Sequence, residues 1–148
     1  MKTLRHFVAL ALAILLAGCI RQWSLEIERW DAAAGPIFCL GESGQCGKQG
    51  VQMHFISVSQ ESIDGSPGKI VWQLQNVTDK DGQATLRSLV YGVIPEGWAE
   101  VVKAEPLLPN VFYSINEEYY FKRDMNYKYS VLPRDVYFSQ RRATSAPK

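Results

Sequence analysis

Ile70-Val71-Trp72-Gln73-Leu74-Gln75 sets Ile70, Trp72 and Leu74 against Val71, Gln73 and Gln75, the period-two pattern of a β-strand. Thr78-Asp79-Lys80-Asp81-Gly82 follows. Asp-Gly between two strand patterns predicts a hairpin, with Leu86 to Val93 as the return strand. Upstream, Val51 to Ser59 also reads as a strand. Its apolar side switches from Val51, Met53 and Phe55 to Ile56 and Val58, which predicts a bulge or a twist. Further upstream, Ser24 to Trp30 alternates, Asp31 to Pro36 breaks the pattern, and Ile37-Phe38-Cys39-Leu40 is a short buried strand.

Downstream, Ile94 to Trp98 is a turn with a large aromatic at its exit, and Glu100 to Lys103 is a short strand stopped by Pro106 and Pro109. Val111, Tyr113 and Ile115 alternate, and Asn116-Glu117-Glu118 turns the chain into Tyr119-Tyr120-Phe121-Lys122. Asn126 to Leu132 and Val136 to Ser139 read as the last extended pieces, split by Pro133. No stretch after the first twenty residues shows a sustained helical period. Short strands recurring about every 8–12 residues with turn signals between them predict an all-β fold. An immunoglobulin-like two-sheet sandwich over residues 24–139 is the expected architecture, and a small barrel is the second. Residues 140–148 carry no apolar pattern and read as a disordered basic tail.

The first residues carry a different signal. Lys2 and Arg5 precede an apolar run from Phe7 that ends in Leu15-Leu16-Ala17-Gly18-Cys19. A basic head, a short apolar core and small residues before a cut form a secretory signal. The run is too short to span a bilayer, which takes about 20 apolar residues. Leu16-Ala17-Gly18-Cys19 resembles the lipobox of bacterial lipoproteins at every position. The resemblance implies a signal peptide over residues 1–18, cleavage before Cys19, a diacylglyceryl thioether on that cysteine and a lipidated tether over residues 19–23. In that family an Asp after the lipid-bearing cysteine retains a protein at the inner membrane. Ile20 stands there instead, so the resemblance implies the periplasmic face of the outer membrane ahead of the inner.

With the signal removed, the body from Cys19 to Ser139 carries 11 basic against 15 acidic residues, a net of −4. That balance shows no basic stripe for nucleic acid. With Cys19 taken by lipid, Cys39 and Cys46 remain as an even pair in an oxidising compartment, most simply a disulfide. The rival metal site lacks partners, since His54 is the one histidine after the signal and no CxxC occurs. The expectation is therefore no metal and no cofactor.

No catalytic constellation is legible. His54 lies mid-strand between Met53 and Phe55 without a nucleophile motif. Glu117 and Glu118 are adjacent and would face opposite sides of a strand. The chain reads as a non-enzyme. The remaining signal is aromatic: Tyr119, Tyr120, Tyr127 and Tyr129 crowd one segment with Arg123. Since only alternate strand residues enter a core, some of these rings should face outward. Exposed Tyr and Arg together mark binding hot spots. These five residues, with Trp98 at its turn, are the expected partner-binding positions. The chain also loosely resembles small periplasmic lipoproteins that act as immunity partners of type VI secretion effectors, through its length, its lipobox, the region from Trp30 to Phe38-Cys39 and its all-β body. That resemblance implies a membrane-anchored protein-binding module that neutralises a secreted effector. The alternative is an assembly lipoprotein of a secretion or cell-envelope machine.

Overall fold

A computed structural model describes residues 23–31, 35–42, 47–62, 68–78, 84–126 and 128–145. Among them run β1 (Trp23–Asp31), β2 (Gly35–Glu42), β3 (Val51–Met53), β4 (Phe55–Gln60), β5 (Lys69–Asn76) and β6 (Ala84–Leu86). Then follow β7 (Ser88–Val90), β8 (Trp98–Val102), β9 (Tyr113–Ile115), β10 (Tyr119–Arg123), β11 (Tyr129–Pro133) and a helix, α1 (Arg134–Ser145). A six-stranded antiparallel sheet has the order β11-β10-β9-β4-β5-β8, a three-stranded sheet the order β1-β2-β7, and β3 pairs with β6 in a ribbon. Among the described residues no sheet closes on itself, so the all-β fold is sandwich-like and the barrel alternative falls away.

The core lies between the two larger sheets. Phe38 and Leu40 of β2 and Leu25 and Ile27 of β1 meet Ile56, Val58, Trp72, Leu74, Ile115 and Phe121 from the opposite sheet. The Phe38 and Phe121 rings meet edge to face at 5.0 Å, and Trp72 meets Tyr91 at the same distance. A fully buried side chain of this size stabilises by about 1.5–3 kcal/mol, and edge-to-face rings add about 0.5–1.5 kcal/mol.

In β5 the alternation survives only in part. Trp72 and Leu74 are buried as expected, but Ile70 is 40% exposed. The register explains it: Val58 pairs with Trp72 while Ser59 pairs with Ile70, so Val71 is an extra residue in the ladder. A bulge of that kind reverses the facing of what precedes it, and Val71 takes the buried place. The irregularity expected near Phe55 is larger than a bulge. The chain bends at His54, so β3 enters the ribbon and β4 the large sheet.

Other expectations are corrected. Among the described residues no hairpin joins β5 to the segment after Gly82: β5 pairs with β4 and β8, β6 with β3, and β7 with β2. The Asn76 side-chain oxygen accepts from the Thr78 N–H at 3.1 Å, and the Val77 N–H donates to the Gly97 carbonyl at 3.0 Å. This Asx turn steers the chain toward Gly97 rather than back along β5. The Asp79-Lys80-Asp81-Gly82 turn itself lies outside the described residues. Val136 to Ser139 is not extended, and residues 140–145 are not a disordered tail, since both belong to α1. Asp135 in the first turn and Arg142 in the last suit the helix dipole. The first strand also begins at Trp23, one residue earlier than expected. Cys39 is disulfide-bonded. Cys46 lies outside the described residues, although a Cβ built on its neighbour Gly47 would stand 3.6 Å from the Cys39 sulfur.

Candidate functional site

The sandwich has two distinguishable ends. At the start of β1, Trp23 packs against Tyr119 with ring centroids 4.7 Å apart, and the Tyr119 hydroxyl donates to the Trp23 carbonyl. Near the other end of β1, Trp30 lies 6.2 Å from Phe121 and under the Arg123 guanidinium at 5.5 Å. β1 and β10 therefore run in the same direction. At about 3.3 Å per residue, a strand of nine residues separates the two ends by roughly 26 Å. Registers extend this polarity across the large sheet: Phe55 and Asn76 fall at the Trp23 end, Gln60, Lys69 and Tyr113 at the Trp30 end.

Two clefts open at the Trp30 end. One, of about 490 Å³, is the mouth between the sheets, bounded by Trp30, Tyr91, Val93, Leu107 and Arg123. The other, of about 600 Å³, lies between α1 and the end of the large sheet, bounded by Glu61, Phe112, Lys122, Tyr137 and Arg141. Lys122 and Arg123 are consecutive on β10, so strand alternation sends one cation into each cleft.

The helix cleft is built by one stripe of α1. Tyr137, Gln140, Arg141 and Thr144 follow i, i+3, i+4, i+7 and share a face. Tyr137 anchors that face. Its ring stacks on Tyr120 at 4.0 Å and 4°, and meets Phe112 and Phe138 edge-on at 5.0 and 5.2 Å. Arg141 donates to the Ser62 carbonyl at 2.8 Å and hydrogen-bonds the Tyr137 hydroxyl. Lys122 holds its ammonium 4.5 Å from the Phe112 ring centre. Burial pushes the Tyr120 phenol up to about 12, and the negative charge of Glu61 pushes the same way against Arg134. Tyr137 is also raised, first by burial and then by Glu61, with Arg141 opposing. Both phenols stay neutral at ordinary pH and act as packing and hydrogen-bonding groups.

The expected partner-binding residues separate. Trp98, Tyr119 and Tyr120 are buried and present no contact surface. Of the expected outward rings Tyr129 is exposed, but neither tyrosine of β10 is, because that strand is covered on both faces. Tyr119 and Phe121 enter the sandwich core, while Tyr120 is covered by Tyr137 of α1. Trp98 opens β8 with its side chain in the core. Arg123 is half-buried at the mouth between the sheets, Tyr129 is exposed beside β1 with its hydroxyl 3.4 Å from the Glu28 carbonyl, and Tyr127 lies outside the described residues. Sequence reasoning passed over the α1 stripe, whose four-residue spacing is the signal that could have found it.

Among the described residues, no group of three or more His, Cys, Asp and Glu side chains could hold a metal ion, and no helix is long and apolar enough to cross a membrane. No protein-family model matches the chain, and no curated protein or solved structure is found similar to it. What remains to argue from is the resemblance of Leu16-Ala17-Gly18-Cys19 to a lipobox, which lies outside the described residues, and the geometry of the two clefts.

Proposed function

We propose that the protein is a lipid-anchored, non-catalytic binding module on the periplasmic face of the outer membrane, which meets a protein partner through the Trp30 end of its sandwich. The observation that carries the reading is the polarity of the fold. Only Ile20, Arg21 and Gln22 separate the lipobox cysteine from the first strand residue. At most about 3.6 Å per residue, that link reaches roughly 14 Å, so an anchor at Cys19 holds the Trp23 end against the bilayer. Both clefts then face away from the membrane, where a soluble partner arrives. The mouth between the sheets carries Trp30 and Arg123, the residue types that dominate hot spots. The apolar side chain of Val93 stands exposed beside them. Neutralising a secreted effector is the partner role that fits such a placement.

A photo-crosslinking amino acid at Val93, on the cleft-bearing end, should trap a protein partner in living cells. The same group at Val77, at the Trp23 end, should trap none. Equal trapping from both positions, or none from either, would refute the outward-facing interface. Fractionation of Cys19→Ser tests the anchor separately: the variant should move from membranes to the soluble periplasm.

A further inference from the structure

We infer that the cleft between α1 and the large sheet is a binding site for a short peptide with both ends free, a zwitterion recognised at its ammonium and its carboxylate. Its volume of about 600 Å³ falls in the range of small-ligand sites, about 300–1,000 Å³. The lining carries both signs of charge, Glu61 together with Lys122 and Arg141. Glu61 and Arg141 act in opposite senses on the same phenol, Tyr137, so both signs of charge are felt at one ring of the cleft. A ligand of only negative charge would pair with the cations but leave Glu61 facing a like charge, and one of only positive charge would face Lys122 and Arg141. A zwitterion satisfies both, and discrimination of this kind rests on repulsion as much as attraction.

The rest of the cleft suits a peptide backbone. Gln60, Asn110 and Gln140 supply amides that each donate and accept, matching the alternating C=O and N–H of a short chain. Val111 and Phe112 offer an apolar wall for one side chain. The charged groups are held before any ligand arrives. Arg141 is fixed by the Ser62 carbonyl and Lys122 by the Phe112 ring, which lowers the ordering penalty of binding. This inference stands on the cleft alone and does not depend on the lipid anchor or on a protein partner.

The test is calorimetric titration of the purified protein with a pool of free tripeptides Ala-Xaa-Ala, and with the same pool N-acetylated or C-amidated. The free pool should bind, and capping either end should weaken binding by about tenfold or more, the loss expected when a charged group is left unpaired. Glu61→Gln should erase the discrimination against the acetylated pool, and Lys122→Ala that against the amidated pool. Both side chains lie at the cleft surface, and circular dichroism would confirm that each variant is folded. No binding of the free pool at millimolar concentration would overturn the inference, and so would capped pools that bind as tightly as the free one.

Discussion

Replacing Tyr137 by Ala tests whether α1 belongs to the folded domain. Tyr137 is only 6% exposed, and its ring stacks on Tyr120 at 4.0 Å while touching Phe112 and Phe138. Truncating a buried aromatic costs about 3–5 kcal/mol. Because α1 is a surface helix that can shift toward the gap, the lower end, about 3 kcal/mol, is expected. Part of that is the stack itself, about 0.5–1.5 kcal/mol. The loss should also release the Arg141 contact to Ser62 and raise the amide exchange of the helix before that of β5. Urea unfolding read by tryptophan fluorescence, with hydrogen exchange on the native state, makes the measurement. A disordered segment would tolerate the change. A Tyr137→Ala variant within 0.5 kcal/mol of the parent, with unchanged exchange in residues 134–145, would refute the packing of α1 on the sheet.

Further predictions concern strain, close approach and titration. Glu117 sits at φ 58° in the loop between β9 and β10, so Glu117→Gly should raise stability by about 1 kcal/mol in urea titration. Gly97 has φ +80°, and a Cβ there would meet the Thr78 hydroxyl oxygen at 2.6 Å. Gly97→Ala should therefore destabilise by about 1–3 kcal/mol, visible as a lower thermal midpoint. Tyr120 and Tyr137 have folded-state pKa values above the ordinary 10.0. Their contribution is complete below pH 10 and is lost as pH rises toward 12 and above. Absorbance at 295 nm and circular dichroism followed together should show these phenolates appearing with unfolding rather than before it.

The sheet was legible where one face is buried and the other wet. Leu25 to Glu28 of β1 and Trp72 to Asn76 of β5 show plain alternation, and period-two burial follows directly from strand geometry. It failed where tertiary pairing overrode local signals. Asp81-Gly82 promises a hairpin, yet the Asx turn at Asn76 leads β5 toward Gly97 instead. The bulge at Val71 cannot be read from neighbours in sequence, because it exists only relative to Ser59 on β4. The helix was obscured by its composition: among the residues of α1 only Val136, Tyr137, Phe138 and Ala143 are apolar, and Val136-Tyr137-Phe138 imitates a strand. The same blind spot hid the candidate site. Tyr120 looked like an outward ring because nothing in β10 announces a helix covering its second face, while the Arg123 and Lys122 cations could be found from composition alone.

The covalent state of Cys19 decides whether the domain is moored to a membrane. Mass spectrometry of trypsin-digested protein from the native membrane decides it, because cleavage after Arg21 isolates Cys19-Ile20-Arg21. A lipid-anchored protein has this peptide as its mature N-terminus, with a diacylglyceryl group on sulfur. The same peptide with a free thiol, or a mature chain beginning elsewhere, would contradict the anchor.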